Sequence, residues 1–151
     1  MPLDIIAWEA AVDPIKPLNW NPKPGIGMRV ERRPDGGMAL TFTDMSDATL
    51  KEWHDFALEH LLGMEGRTRN LYDLRGVKEI SEKAVRTAVE VNSDPSARNI
   101  RLAVLVASPE AGEAIRKIAA LALPETAAAM KIFTEPDEAE AWLSRPLDQF
   151  P

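Results

Sequence analysis

The sequence predicts a single α/β domain, built on a mixed and mainly parallel sheet of about five strands with an N-terminal antiparallel hairpin and about four helices. Apolar and polar residues alternate over Met28–Arg32 and Met38–Phe42, as in half-buried strands. The later strand-like stretches are short, apolar and separated by amphipathic helices, which favours parallel strands joined by crossovers. A chain of 151 residues, 45% hydrophobic and 28% charged, fits one globular domain.

Residues 1–25 are predicted to form an N-terminal extension, because five prolines interrupt them and no hydrophobic period is sustained. The extension contains Trp8 and Trp20, and fully exposed tryptophans are unfavourable. We expect these side chains to pack on their own domain or, alternatively, on a second subunit. The domain itself is placed at residues 26–145 and a C-terminal tail at residues 146–151.

Local signals predict the hairpin and the first helix. Pro34-Asp35-Gly36-Gly37 is a strong turn sequence between the two alternating stretches. Ser46 is a suitable N-cap for the helix that follows. One face of that helix is apolar at three- and four-residue spacing, through Leu50, Trp53, Ala57, Leu61 and Met64. Gly63 and Gly66 are placed to end it.

The remaining elements alternate between short apolar strands and amphipathic helices. In chain order they are predicted at Asn70–Leu74, Ser81–Val91, Ile100–Ala107, Pro109 to Leu123, Met130–Phe133 and a helix that starts at Pro136. The stretch Ile100–Ala107 is almost continuously apolar, as expected of a parallel strand covered on both faces. We therefore expect it to be the centre of the sheet.

Composition excludes several classes of function. The net charge of -6 argues against nucleic-acid binding, which needs clustered Lys and Arg. The absence of cysteine removes thiolate metal sites and thiol nucleophiles, and two histidines leave little for a histidine metal site. Apolar runs are far shorter than the roughly 20 residues of a membrane span, and the N-terminus lacks the pattern of a secretory signal. We expect a cytoplasmic protein with no membrane span, no metal, no cofactor and no nucleic-acid partner.

The C-terminal part of the chain is strongly acidic. Five acidic residues and one basic residue, Arg145, lie between Glu135 and Asp148. Beside helix-forming residues, such a run is typical of a solvated helix face, with an interaction surface as the alternative.

Three stretches resemble a known family. Tyr72-Asp73-Leu74-Arg75-Gly76-Val77 resembles the strand-end signature of STAS domains, the module shared by anti-sigma-factor antagonists and sulphate transporters. Arg101–Pro109, followed by Ile132–Leu143, resembles the bacterial STAS-like subgroup called SpoIIAA-like, for which a likeness to the CRAL-TRIO lipid-binding fold is also noted. The resemblance covers about residues 26–145. It implies a STAS-like fold and a module that acts by binding.

The phosphorylation site of the STAS family is altered in this sequence. In phosphorylated STAS domains, the loop after the Asp-Leu-x-Gly-Val stretch ends in an Asp-Ser pair whose serine accepts phosphate. Aligned on Asp73, Ser81 replaces that aspartate and Glu82 replaces the acceptor serine. We expect Ser81 to cap the next helix. If the alignment slips by one residue, Ser81 becomes a phosphate acceptor near Arg75 and Lys78.

Candidate binding residues follow from the carboxyl ends of the strands, where open α/β sheets hold ligands. Arg75 and Lys78 lie in a loop that leads into a helix N-terminus, and this combination can hold a carboxylate, a phosphate or an acidic partner. The alternative is an ordinary mixed surface. The candidates are Asp73, Arg75, Lys78, Ser81, Glu82 and Ser108.

Three functions remain open from the sequence. The leading hypothesis is a non-enzymatic binding or regulatory module that contacts a protein partner or another copy of itself. The second is a carrier of a small apolar ligand or lipid between the sheet and movable helices, consistent with the alanine-rich stretch Ala111–Ala122. The third and weaker alternative is an enzyme that uses Asp44 and Asp73 as a general acid and base, or Ser108.

Overall fold

A computed structural model describes residues 20–61, 68–78, 80–92, 100–121 and 129–146. Its elements are β1 (Met28–Arg32), β2 (Met38–Phe42), α1 (Asp47–Phe56), a π-helical turn (Ala57–Leu61), β3 (Thr68–Asp73), α2 (Glu82–Asn92), β4 (Ile100–Leu105), α3 (Pro109–Leu121), β5 (Ala129–Phe133) and α4 (Pro136–Leu143). The predicted order of strands and helices is confirmed. Trp8, Gly63, Met64, Gly66 and the end of the predicted helix at Leu123 lie outside the described residues.

The five strands form one sheet in the order β1-β2-β3-β4-β5. β1 is antiparallel to β2, and every other neighbouring pair is parallel, which confirms the predicted mixed sheet. β4 has parallel neighbours on both sides and six buried residues. The prediction that it is the centre of the sheet is nevertheless wrong by one position. β3 is the middle strand, because the hairpin adds two strands on one side of it.

The hairpin turn is tight and depends on two glycines. Arg33 N donates to Gly37 O at 2.8 Å and closes a three-residue loop, in which Gly36 has a φ of 90°. The Asp35 carboxylate accepts from Gly37 N at 2.9 Å. A side chain at Gly37 would place its Cβ 1.6 Å from the carbonyl oxygen of Arg69, so only glycine fits there.

The helices lie on both faces of the sheet. α1, α2 and α3 cover one face, where their apolar residues pack against side chains such as Leu40, Tyr72 and Val104. α4 covers the other face through Ala139, Trp142 and Leu143. Because successive parallel strands are added in one direction, crossovers of one hand place the first three helices on the same face. No helix in the described segments is long and apolar enough to cross a membrane.

Three aromatic rings form the centre of the larger core. Phe42, Trp53 and Tyr72 contact one another edge to face, with each pair of ring centroids 5.9 Å apart. Trp53 Nε1 donates to the Tyr72 hydroxyl at 3.3 Å. Burial raises the pKa of Tyr72 to about 12, because the phenolate would lose its hydration.

Two arginines hold the C-terminal end of α4 against the sheet. Arg101, only 1% exposed, donates from Nη1 to Arg145 O at 2.5 Å and from Nη2 to Pro146 O at 2.9 Å. Arg69 donates from Nε to Leu143 O at 2.6 Å. Arg69 thus satisfies a carbonyl that the last turn of α4 leaves without an intrahelical donor, and Arg101 binds the segment that follows the helix.

The N-terminal side of the described chain also packs on the domain. Trp20 Nε1 donates to Glu52 Oε2 at 3.0 Å, and Lys23 Nζ donates to the other oxygen of Glu52 at 2.7 Å. Trp20 contacts the larger core as well. The first of the two alternatives, packing on its own domain, is therefore correct for Trp20.

Candidate functional site

The carboxyl ends of β3, β4 and β5 finish level with one another. Leu74 N donates to Leu105 O at 2.8 Å, and Val106 N donates to Phe133 O at 2.9 Å, so the ladder continues one residue beyond each strand. Gly76 lies against the end of β2, where a Cβ would come within 3.3 Å of Phe42 O. The loops after these strands consequently share one edge. We call the six predicted binding residues at this edge the rim: Asp73, Arg75, Lys78, Ser81, Glu82 and Ser108.

Asp73 and Arg75 are joined by more hydrogen bonds than any other pair of rim residues. The Asp73 carboxylate accepts from Arg75 Nε at 3.0 Å, from Nη2 at 2.7 Å and from the backbone N at 3.0 Å. The Arg75 guanidinium holds the pKa of Asp73 below its ordinary value and has its own pKa raised in turn. Although Arg75 is paired, 46% of its side chain is exposed. Its position is therefore fixed while its charge remains accessible.

The next part of the rim is the N-terminus of α2. Ser81 Oγ accepts from Ala84 N at 3.1 Å, which makes Ser81 the cap of this helix, as predicted. Lys78, Ser81 and Glu82 are all exposed. Lys83 Nζ lies 3.1 Å from Asp47 Oδ1 and links the start of α2 to the start of α1. Because both side chains are exposed, this ion pair adds little stability, but it shows that the two helix starts are neighbours.

Ser108 is a helix cap at a separate point of the same edge. Its Oγ accepts from Ala111 N at 3.3 Å at the start of α3. Among the described residues, no hydrogen bond joins Ser108 to Asp73 or Arg75. The structure thus brings Asp73 and Arg75 into direct contact and places Ser81 and Ser108 at neighbouring helix starts.

Asp44 and Asp73 do not have the features of an acid–base pair. Asp44 Oδ1 accepts from Ser46 N at 2.9 Å and from Thr49 Oγ1 at 2.7 Å, and these bonds lower its pKa. Asp73 is engaged by Arg75, which also lowers its pKa. A general acid near neutral pH needs a raised carboxyl pKa. Both carboxylates instead serve local structure, Asp44 at the entry to α1 and Asp73 in the loop after β3.

An apolar cavity lies behind the rim, between the sheet and the first three helices. Its volume is about 40 Å³. The lining is almost entirely apolar and consists of Phe42, Met45, Trp53, Tyr72, Leu74, Ile80, Ala84, Ala88, Leu102, Val104, Ile115 and Met130. Ligand pockets in proteins typically measure about 300–1,000 Å³. This cavity can accept a bound lipid only if the helices move apart.

Sequence reasoning missed one residue of this edge. The pKa of Arg75 is raised mainly by its hydrogen bond with Asp73, and the negative charge of Glu135, the exposed residue before α4, adds to this shift. In the sequence, Glu135 belongs to the acidic C-terminal run, and nothing local indicates that β5 ends next to β4. Within the described ranges, no cluster of three or more His, Asp or Glu side chains is arranged to hold a metal ion.

Comparison with known proteins bears on the fold. No protein-family model matches the chain, and no curated protein matches it significantly. Among solved structures, the chain is similar to an uncharacterized protein of the DUF3478 family with a SpoIIAA-like fold, from Shewanella loihica PV-4. The TM-score is 0.59 at 17% sequence identity, over 82% of this chain and 98% of that one. The chain therefore has the SpoIIAA-like fold that its resemblance to STAS domains implied.

Proposed function

We propose that this protein is a non-enzymatic binding or regulatory module of the cytoplasm, which holds an acidic segment of a protein partner at the rim. The observation that carries the proposal is the Arg75 side chain, which is nearly half exposed and yet fixed by two hydrogen bonds from its guanidinium to the Asp73 carboxylate. A side chain that is already ordered loses less conformational entropy when it binds. Arg75 is therefore a suitable anchor for a carboxylate.

Two neighbouring features support the same kind of partner, whereas Glu82 and Glu135 carry the opposite charge. Lys78 is exposed in the loop that follows Arg75, and the backbone N–H groups at the start of α2 add positive potential. Ser81 occupies one of those donors as a cap. The three candidate catalytic residues, Asp44, Asp73 and Ser108, each form hydrogen bonds that serve local structure. Recognition by charge is thus better supported than chemistry.

The test is binding by the double variant Arg75→Glu with Lys78→Glu. Crosslinking of the purified chain in cell extract, followed by quantitative mass spectrometry, identifies proteins joined to residues near the rim. An acidic peptide from such a partner should then bind the wild-type chain and lose about tenfold or more affinity for the variant. Circular dichroism checks that the variant remains folded.

A matched control tests whether the loss of affinity depends on the rim residues or only on the change in net charge. The variant Arg86→Glu with Arg116→Glu also replaces two exposed cations, one on α2 and one on α3. It should bind the peptide like the wild-type chain, apart from a small change due to net charge. Equal losses in both variants, or no loss in the rim variant, would refute the proposed surface.

A second candidate function is the transport of a small apolar ligand. The cavity beneath α2 and α3 favours it, because an apolar lining suits a hydrocarbon group. Its small volume requires the helices to separate, and the rim proposal needs no such movement. Native mass spectrometry of the purified protein should show added mass if a ligand is carried, and an unliganded mass contradicts the idea.

A cavity-blocking variant makes this test specific. Ala84 lines the cavity, whereas Ala120 is exposed on α3. If a ligand occupies the cavity, Ala84→Leu should abolish its retention and Ala120→Leu should preserve it. Equal retention by the two variants places any ligand elsewhere.

A further inference from the structure

β1 is an edge strand with an orderly set of outward-pointing backbone groups. In the described part of the chain, its single strand neighbour is β2. Arg33 N donates to Gly37 O at 2.8 Å, and Thr43 N donates to Gly27 O at 2.9 Å. Residues whose backbone groups bond to the partner strand alternate along an antiparallel pair. The N–H and C=O groups of the odd-numbered residues of β1 therefore point toward β2. The N–H and C=O groups of Met28, Val30 and Arg32 therefore point to the outer edge.

The exposed face of this edge carries two opposite charges. Arg29 and Glu31 are exposed and lie two residues apart, so both side chains project from the same face. Met28 and Val30 project from the other face into the core. Within the described residues, neither Arg29 nor Glu31 has an ion-pair partner. The edge thus presents one positive and one negative charge, side by side.

We propose that β1 binds β1 of a second copy of this chain, antiparallel and centred on Val30, so that two five-stranded sheets join into one. Full overlap of the strand opposes Val30 to the partner's Val30, and Met28 to the partner's Arg32. These are the residues whose backbone groups point outward. The same overlap places Arg29 directly opposite the partner's Glu31, and the twofold axis repeats this contact. The pairing of outward-pointing backbone groups and the pairing of opposite charges therefore favour the same register.

Neighbouring registers lack this complementarity. A slip of two residues preserves the backbone pattern but opposes Arg29 to the partner's Arg29, or Glu31 to the partner's Glu31. Like charges placed directly opposite each other are destabilising. The other edge of the sheet is less suitable, since full antiparallel overlap of β5 opposes the exposed Lys131 to the partner's Lys131. The proposed interface between two copies of β1 is separate from the rim and goes beyond the proposed function.

The decisive experiment mixes two charge-reversal variants of the full chain. Sedimentation velocity should show concentration-dependent dimers of the wild-type protein between micromolar and submillimolar concentration. Arg29→Glu and Glu31→Arg should each raise the dimer dissociation constant by about tenfold or more, because both cross-strand contacts become repulsive. An equimolar mixture should dimerise again, since the acidic edge of one variant faces the basic edge of the other. Recovery on mixing also shows that neither variant is misfolded.

Amide hydrogen exchange provides a test at residue level. The amides of Met28, Val30 and Arg32 should exchange more slowly as the concentration rises, while those of Arg29 and Glu31, which face β2, should be protected at every concentration. Lys131→Glu on the opposite edge is the control and should leave dimerisation intact. A wild-type chain that stays monomeric throughout the range overturns the proposal. So does a dimer that both charge reversals leave unchanged, or a mixture that fails to reassociate.

Discussion

The bond between Arg33 and Glu140 joins the hairpin to α4, and its removal gives the sharpest prediction about stability. Arg33 donates from Nη1 to Glu140 Oε1 at 2.8 Å and from Nη2 to Glu140 Oε2 at 2.9 Å. The guanidinium also contacts Asp35 at 3.1 Å. This two-pronged geometry connects residues 107 positions apart. The perturbation is Glu140→Gln, which keeps the shape of the side chain and removes its charge.

The expected magnitude follows from the burial of the two partners. Exposed ion pairs contribute about 0.2–1 kcal/mol, whereas loss of one partner from a buried pair costs about 3–5 kcal/mol. The Arg33 side chain is 8% exposed and the Glu140 side chain is 50% exposed. Asp35 remains beside Arg33 in the variant. We therefore expect the free energy of unfolding to fall by about 1.5 kcal/mol, or about 3–6 °C in Tm.

The pH dependence distinguishes the lost charge from lost packing. Arg33 lowers the pKa of Glu140 in the folded state below its unfolded value of 4.5. The stabilisation is therefore complete above the unfolded pKa and is lost as the pH falls through the lower, folded pKa. Urea unfolding of the wild-type and variant chains should show the full difference near neutral pH. The difference should shrink at the lowest pH at which both chains remain folded.

Two results would refute this reasoning. Equal stability of the wild-type and Glu140→Gln chains at neutral pH would mean that solvent screens the ion pair between Arg33 and Glu140 completely. A difference that persists undiminished in acid would mean that the substitution acts through shape and not charge. The control is Glu138→Gln, an exposed position on the same helix, which should change the stability by less than about 0.5 kcal/mol.

Three further predictions concern the core and the turn. Arg101→Met removes two charge-assisted hydrogen bonds to carbonyls of exposed residues, and these carbonyls can bind water instead. Urea unfolding should therefore show that the free energy of unfolding falls by about 2 kcal/mol. The control Arg86→Met, at an exposed site, should leave it almost unchanged. Tyr72 is the single tyrosine of the chain, so an absorbance titration should give a phenol midpoint of about 12 in the folded protein and 10.0 after unfolding. A folded midpoint near 10.0 would contradict the buried position. Gly37→Ala should lower the free energy of unfolding by more than about 2 kcal/mol, because the backbone of Arg69 occupies the space of the new Cβ; a smaller loss would show that the turn can shift.

Much of the architecture could be predicted because it depends on local pattern. The alternation in Met28–Arg32 and the change to helical spacing after Ser46 reflect which side chains face the core, and the observed elements follow them. Pro109 and Pro136 mark helix starts because the first helical position needs no amide donor. The local role of Ser81 as a helix cap was predicted for the same kind of reason.

The candidate site could be predicted only in part. Asp73 and Arg75 are two residues apart, so their contact follows from the loop itself. The influence of Glu135 on Arg75 requires β5 to lie beside β4, and strand order is a property of the whole sheet. The cavity volume likewise depends on how closely three helices approach the sheet.

The sequence alone determined the elements, their order and the antiparallel start of the sheet, because hydrophobic periodicity and turn chemistry act over a few residues. Tertiary structure decided which strand is central and which groups accept hydrogen bonds from the buried arginines. Arg101 stands in an apolar strand, but its acceptors lie 44 and 45 residues further along the chain. An almost continuously apolar strand is expected to be covered on both faces, but this pattern does not identify a partner for the Arg101 guanidinium. Only the packing of α4 against the sheet supplies the carbonyls that make its burial favourable.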